Sequence, residues 1–450
     1  MVIIGIILTV VFGLSVVYLV GIRRNFLIVG PLGYMMGIGL QTLLMFYLAI
    51  LNIKMTLFNV TLVLVISVLV LNIFYFWLRK RFLLKELFSD LVFDLKELIH
   101  NFSLLSYFDK VIICLLVLVF IFVFLLGLYW PVAGWDSIAL YDFRARVFKE
   151  TGYMWDAVNR GYFFGYPLMT SMMNTWVYLF GYNYPRFMYA LIYISFSTLF
   201  YYSLRFFNSR RYALVFTSLL VLSTPLFGHS FFDYTNMPYA AYFFVGTAFV
   251  FIYTTTKRIP FLIIAALTMG IATWIRSTDP FWVANIVVLI LWSVLNRKFL
   301  PIICYLSFFL PIQQSWNIFL GYMSQEVSTQ ALATSTLRLA LLQPFSISRF
   351  AEVFNFVLKT IGPTLWKYAL LLIFSVMLLK RQKIYQYAYL YLLIMVNVGI
   401  LFFGSYIFSY LWSGWNLLSE SLGRMSIIFI PLFLFGSGVV NLDLYDGKKN

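Results

Sequence analysis

Apolar runs of about 18 residues or more recur from one end of this chain to the other. A bilayer core offers no water to the backbone, so each such run must satisfy its own N–H and C=O groups as a helix. The rest of the composition leaves no other home for these runs. Of 450 residues, 63% are hydrophobic and 11% charged, against roughly a quarter charged in soluble domains. No stretch is long and polar enough to form a separate soluble domain. The expected fold class is therefore an all-α polytopic membrane protein.

The basic residues sit in small clusters at the ends of apolar runs. They are Arg23-Arg24, Arg79-Lys80-Arg81 with Lys85, Arg210-Arg211, Lys257-Arg258, Arg297-Lys298, Lys380-Arg381 with Lys383, and Lys448-Lys449. Lys and Arg concentrate in cytoplasmic loops. With every cluster on that side, the chain alternates through spans near 2–21, 28–51, 56–78, 111–130, 185–207, 212–229, 239–256, 260–275, 281–296, 299–320, 364–379, 385–404 and 425–441. That makes about 13 transmembrane helices in a multi-pass plasma-membrane protein, N-terminus outside and C-terminus cytoplasmic. The first run lacks a basic start and is followed by Arg23-Arg24, so it reads as a span and not as a cleaved signal. The net charge of +16 is dispersed over these clusters, which argues against a nucleic-acid partner. Cys114 and Cys304 fall inside spans and read as small core hydrophobes.

Two segments do not fit as spans. Residues 80–109 mix Lys85, Glu86, Asp90, Asp94, Lys96 and Glu97 with Leu and Phe at helical spacing, the pattern of an amphipathic cytoplasmic helix. Residues 166–181 are short for a crossing, begin at Pro167 and end at Gly181, and predict an interfacial helix on the outer side. The organisation is then three N-terminal spans (1–79), an amphipathic connector (80–110), a larger transmembrane module (111–441) and a cytoplasmic tail (442–450).

This topology gathers unusual polar residues on the outer side, in loops 131–184, 229–238, 276–280, about 321–363 and 405–424. The most prominent is the island Trp135-Asp136-Ser137-Ile138-Ala139-Leu140-Tyr141-Asp142. Asp136 has the position of either a helix N-cap or a reactive carboxylate. Asp142–Arg146 and Asp156–Arg160 have the i,i+4 spacing of surface ion pairs. Asp233, ahead of Asn236-Met237-Pro238, either caps or binds substrate. His229 reads as a satisfied interfacial residue. Arg276 with Asp279, and Glu420 with Arg424, stand at span ends, where headgroup snorkelling competes with binding of an anion. No phosphate-binding glycine loop, zinc spacing or serine-nucleophile elbow is present.

The order of these features resembles the C-type (GT-C) integral-membrane glycosyltransferases, the group that includes protein O-mannosyltransferases and aminoarabinose transferases. Trp135-Asp136-Ser137 stands where that family opens its first outer loop with an acidic motif. Tyr166-Pro167-Leu168 through Phe180-Gly181 matches its Pro-Leu element and interfacial helix. Asn236-Met237-Pro238 with Asp233, Arg276-Ser277-Thr278-Asp279 and Arg424 match later motifs. The resemblance covers roughly 111–441. Ser137 replaces the family's second acid, and Asn236 its Asp.

The resemblance implies transfer of a sugar from a polyprenyl-phosphate donor to a glycan, lipid or protein acceptor on the extracytoplasmic face, with inversion. Asp136 would be the catalytic base. Asp142, Tyr166, Asp233, Arg276, Asp279, Glu420 and Arg424 would bind substrate, the arginines at the lipid phosphate. Tyr166, Trp412 and Trp415 would face sugar rings. No cofactor is implied with certainty. A divalent cation is compatible with the family but not indicated by these residues. A transporter or flippase for a lipid or small solute, or a non-catalytic scaffold, are the competing classes. The first predicts internal repeats and charges at mid-membrane, and the second no gathering of acids and arginines on one side.

Overall fold

A computed structural model describes residues 1–23, 25–156, 166–277, 279–323, 343–378 and 381–440. Every regular element among them is helical. Among the described residues nine helices are long and apolar enough to cross a membrane, and Ile259–Ile275 and Trp282–Asn296 are shorter apolar helices. The chain opens with α1 (Val2–Val20), α2 (Phe26–Ile50), α3 (Leu57–Arg79), α4 (Leu83–Ser103) and α5 (Tyr107–Tyr129). After α5 comes a one-turn π-helix, Ser137–Asp142, running directly into α6 (Phe143–Thr151).

The core is built around two helices. Asn236–Thr256 is buried along almost its whole length. Beside it, α2 is largely buried and bound by polar ties at several depths. Tyr34 donates to the Met188 carbonyl (2.9 Å), Tyr242 donates to the Met35 carbonyl (2.6 Å), and the Trp274 indole donates to Thr42 (3.2 Å). The N-terminal helices therefore share one core with the rest of the described chain.

Close approach of α1 and α2 needs glycine. A Cβ on Gly13 would run into the backbone of Gly33 and Gly37, and one on Gly37 into the Thr9 carbonyl. In a bilayer, where burial itself gives helices little drive to associate, such small-residue contacts bring backbones into van der Waals range. Gly13→Ala should cost about 1–3 kcal/mol through overpacking. A clear drop in the detergent melting temperature checks this, and an unchanged one would mean that α1 does not sit so close.

Contacts sort the loops into two ends. At the basic end Arg23 pairs with Glu86 (3.3 Å), Tyr18 donates to Asp90 (3.2 Å), Arg211 pairs with Asp109 (3.6 Å), Lys257 lies over Trp292 (4.3 Å), and Gly21 adjoins Pro260. At the other end Tyr182 donates to the Leu128 carbonyl (2.7 Å), the Met55 amide to Gly152 (2.8 Å), and Arg349 to Ser409 (3.2 Å). Basic clusters and the outer-loop residues of the sequence map thus occupy opposite ends. Arg24, Lys380, Lys448, Lys449, Arg160, Thr278 and much of the 321–363 loop lie outside the described residues.

Several expectations change. The 212–229 run is two short helices, Arg210–Val221 and Thr224–His229, separated at Leu222-Ser223 ahead of Pro225. Arg211 pairs at the basic end and His229 stands beside Tyr234 at the other, so the two short helices together still connect the two ends. Helix Ile347–Met377 begins well before Pro363 and carries that proline inside it. Membrane helices tolerate such a proline, because neighbouring groups re-satisfy the freed carbonyl, and the expected span start near 364 falls inside this helix. Helix Arg381–Leu411 likewise extends into the expected 405–424 loop. The Met169–Leu179 helix does exist, but Met169 through Tyr178 are all buried, against α6 and α2 among others. Met172, Met173, Trp176 and Val177 make it apolar enough to be covered by protein, and it does not lie open at an interface. Helix α4 forms as expected; Tyr18 of α1 and Tyr75 of α3 donate to its Asp90 and Glu86, and Glu86 pairs with Arg23 and Arg81 in the adjoining turns. Cys114 faces outward and not into the core.

Candidate functional site

The end opposite the basic clusters collects most of the residues singled out in the sequence. The local cause begins with the π-helix. The Phe143 N–H donates five residues back to the Ile138 carbonyl, one residue more than an α-turn. Such a bulge shifts the faces presented on its two sides, and π-bulges recur at functional sites. Asp136 precedes it in αR conformation and makes no side-chain cap bond. The capping reading of Asp136 therefore fails.

Its carboxylate instead accepts from Arg424 at 2.5 Å, across 288 residues of sequence. Both groups stay partly open, with side-chain exposures of 32% and 21%. Glu420 lies on the other side of Arg424, at 4.0 Å from Nε. Arg424 also stands over the Tyr234 ring (5.2 Å), which stacks on Phe232 (5.5 Å). The positive-φ residue Gly134 makes room for this arrangement, since a Cβ there would meet the Tyr234 hydroxyl. His229 is close by, its ring 6.2 Å from Tyr234. Among the described residues its buried Nδ1 has no hydrogen-bond partner, unlike the satisfied interfacial histidine expected. Burial, then the Arg424 cation, pushes His229 down to about 4.

A second group lies around Tyr141 on the same π-helix. Its hydroxyl is 3.3 Å from Thr235 Oγ1, and Arg144 stands over its ring at 5.5 Å. Buried Arg144 also donates to the Tyr166 carbonyl at 3.0 Å, fixing the start of the Tyr-Pro-Leu element. Arg276 pairs with Asp279 at 2.7 Å and approaches the Tyr239 ring at 5.9 Å. Burial opposes the Arg276 charge, but Asp279, aided by Tyr166 and Tyr141, outweighs it and holds the guanidinium charged. Arg276 is thus an anchored cation, not a side chain snorkelling freely to headgroups.

The third group is buried. Asp142 was expected in a surface ion pair. It does bind Arg146 (2.7 Å), but it is itself buried and also accepts from Tyr178. Burial, then the Asp142 hydrogen bond, raises the Tyr178 hydroxyl. Both Asp142 oxygens are thereby engaged within the protein. Asp233 is fully buried 3.5 Å from Arg186, whose own guanidinium reaches the Pro131 carbonyl. Asp233 does not cap the following helix, and the backbone N–H of Ala133 reaches its carboxylate. Burial pushes it up to about 8, although Arg186 pulls the other way.

This shift gives a signed prediction. In the unfolded chain Asp233 titrates near 3.8, so between there and about 8 the folded form holds more proton. Stability from this site is full below the lower value and falls as pH rises to the upper one, by at most about 1.4 kcal/mol per pH unit. Melting temperature should decline with pH across that window, and Asp233→Asn should flatten the decline. A slope identical in both proteins would assign the proton elsewhere.

The remaining expected residues separate. Trp415 packs on Phe356 (5.1 Å) and lies under Arg349 (5.1 Å), away from the Asp136 contacts. Asp156 is described but its expected partner Arg160 is not. Tyr234, Tyr141, Tyr178 and Arg186 went unremarked as site residues, though each borders a flagged residue in sequence or in space. Among the described residues no three His, Cys, Asp or Glu side chains converge as a metal site would require. No family model matches the chain, and neither the curated proteins nor the solved structures contain a match.

Proposed function

We propose that this protein is a membrane glycosyltransferase that moves a sugar from a polyprenyl-phosphate donor to an acceptor hydroxyl at the extracytoplasmic face. The observation that carries the reading is the half-open Asp136–Arg424 pair, flanked by Glu420 and Tyr234, at the end opposite the basic clusters. A group transfer of this kind needs a base for the acceptor and a cation for the leaving phosphate, side by side.

In the reaction the acceptor oxygen attacks the anomeric carbon and its proton passes to the Asp136 carboxylate. The bond from that carbon to the phosphate oxygen breaks, and the configuration inverts. The electron pair leaves on polyprenyl phosphate, whose charge Arg424 meets with its planar fork. Arg276, held charged by Asp279, supplies a second cation on the far side of the π-helix. The three subclusters supply rigidity, because sites held by locked side chains lose less on reaching the reacting geometry.

The test is incubation of the purified protein with a panel of polyprenyl-phosphate sugars and candidate acceptors, scoring released polyprenyl phosphate. Release with one donor supports the reading. No release across the panel, with substrate-dependent transport in vesicles instead, would replace it by a transporter. A cysteine at position 136 should react with an impermeant reagent on intact cells, and reaction only after lysis would reverse the orientation.

A further inference from the structure

A sizeable cavity lies at the basic end, lined in part by Arg205, Arg210, Asp94 and Glu97. It has a volume of about 880 Å³ and opens between α4, α5 and the helices Phe187–Arg205 and Arg210–Val221. Its inner lining is apolar, with Leu116, Val117 and Phe120 on α5 facing Leu214. Its mouth is charged. Arg205 and Arg210 stand on one wall, and Asp94 and Glu97 of α4 on another.

The dimensions fit a lipid. From Arg205 the lining reaches back to Ser197, eight residues up the same helix. That is about 12 Å, close to one leaflet of a hydrocarbon core that is ~30 Å thick. A chain seated there would run alongside the bundle with its headgroup among the four charges. The charge pattern selects the headgroup. Two arginines suit a phosphate, yet a headgroup with only negative charge would leave the carboxylates of α4 facing it. A headgroup joining a phosphate to a primary ammonium matches both walls, because the ammonium N–H groups donate to carboxylates.

We propose that this cleft holds one molecule of a zwitterionic aminophospholipid, its phosphate at Arg205 and Arg210 and its ammonium toward Asp94 and Glu97. This binding does not depend on the catalytic reading of the opposite end. Asp94 also receives backbone N–H groups of Asn25 and Phe26, at the start of α2, so Glu97 is the acid altered in the test.

The experiment is native mass spectrometry of the purified full chain, delipidated in detergent and offered equal phosphatidylethanolamine and phosphatidylglycerol. One phosphatidylethanolamine per chain should be retained, several-fold over phosphatidylglycerol. Arg205→Ala with Arg210→Ala should abolish retention, and Glu97→Gln should equalise the two lipids. Leu214→Trp, which fills the apolar lining, should release the lipid while all charges stay in place, and a melting curve on each variant reports folding. Equal or preferential retention of phosphatidylglycerol by the unaltered protein would overturn the proposal. So would retention that survives both the double arginine variant and Leu214→Trp.

Discussion

Asp136→Asn should lower sugar transfer by about 10²–10⁴-fold, the range that a positioned general base contributes. Asparagine keeps the size of the side chain and can still accept from Arg424, so the geometry of the mouth survives. What is lost is the ability to take a proton. The effect on folding should be small by comparison. A partly exposed ion pair contributes about 0.2–1 kcal/mol, whereas a 10³-fold rate loss corresponds to about 4 kcal/mol. A variant with a wild-type melting temperature and no transfer would meet the expectation. Full transfer would remove Asp136 from the mechanism and leave the pair as a structural tie.

Arg424→Ala should cost about 10²–10³-fold in kcat, the scale seen when one preorganised donor to a developing negative charge is removed. Arg424 touches three groups in the resting protein, namely Asp136, Glu420 and the face of Tyr234. A leaving phosphate must compete with the two carboxylates for the same fork. Arg424→Lys should recover only part of the loss, because an ammonium cannot offer two parallel donors. The double variant Asp136→Asn with Arg424→Ala should lose much less than the product of the single losses, as residues that act in one unit do. Strictly multiplicative losses would place the two residues in separate roles.

The sequence was most legible where one force dominates. Among the described residues the apolar runs became helical, 212–229 as two short helices, because a lipid-facing backbone has no alternative. Helix α4 was legible for a related reason, its acids and apolar residues falling on separate faces. Boundaries failed where local signals compete with packing. The span expected from about 364 instead begins at Ile347, with Pro363 inside the helix. The Met169–Leu179 helix was taken for an interfacial one because it is too short to cross, yet its burial depends on which helices happen to cover it. Asp142 and Arg146 were correctly paired by spacing, but spacing carries no information on depth.

By itself, then, the sequence determined that this chain is a bundle of apolar helices with basic clusters at their ends, and it singled out Asp136, Arg276 and Arg424. Those facts follow from transfer free energies, which are properties of single segments. Only the tertiary structure decided that Asp136 is no helix cap, that its partner is Arg424 with Glu420 and Tyr234 around it, and that Asp233 and Asp142 are buried. Such pairings depend on packing between segments hundreds of residues apart, which glycines such as Gly13 and Gly134 permit and no local pattern records.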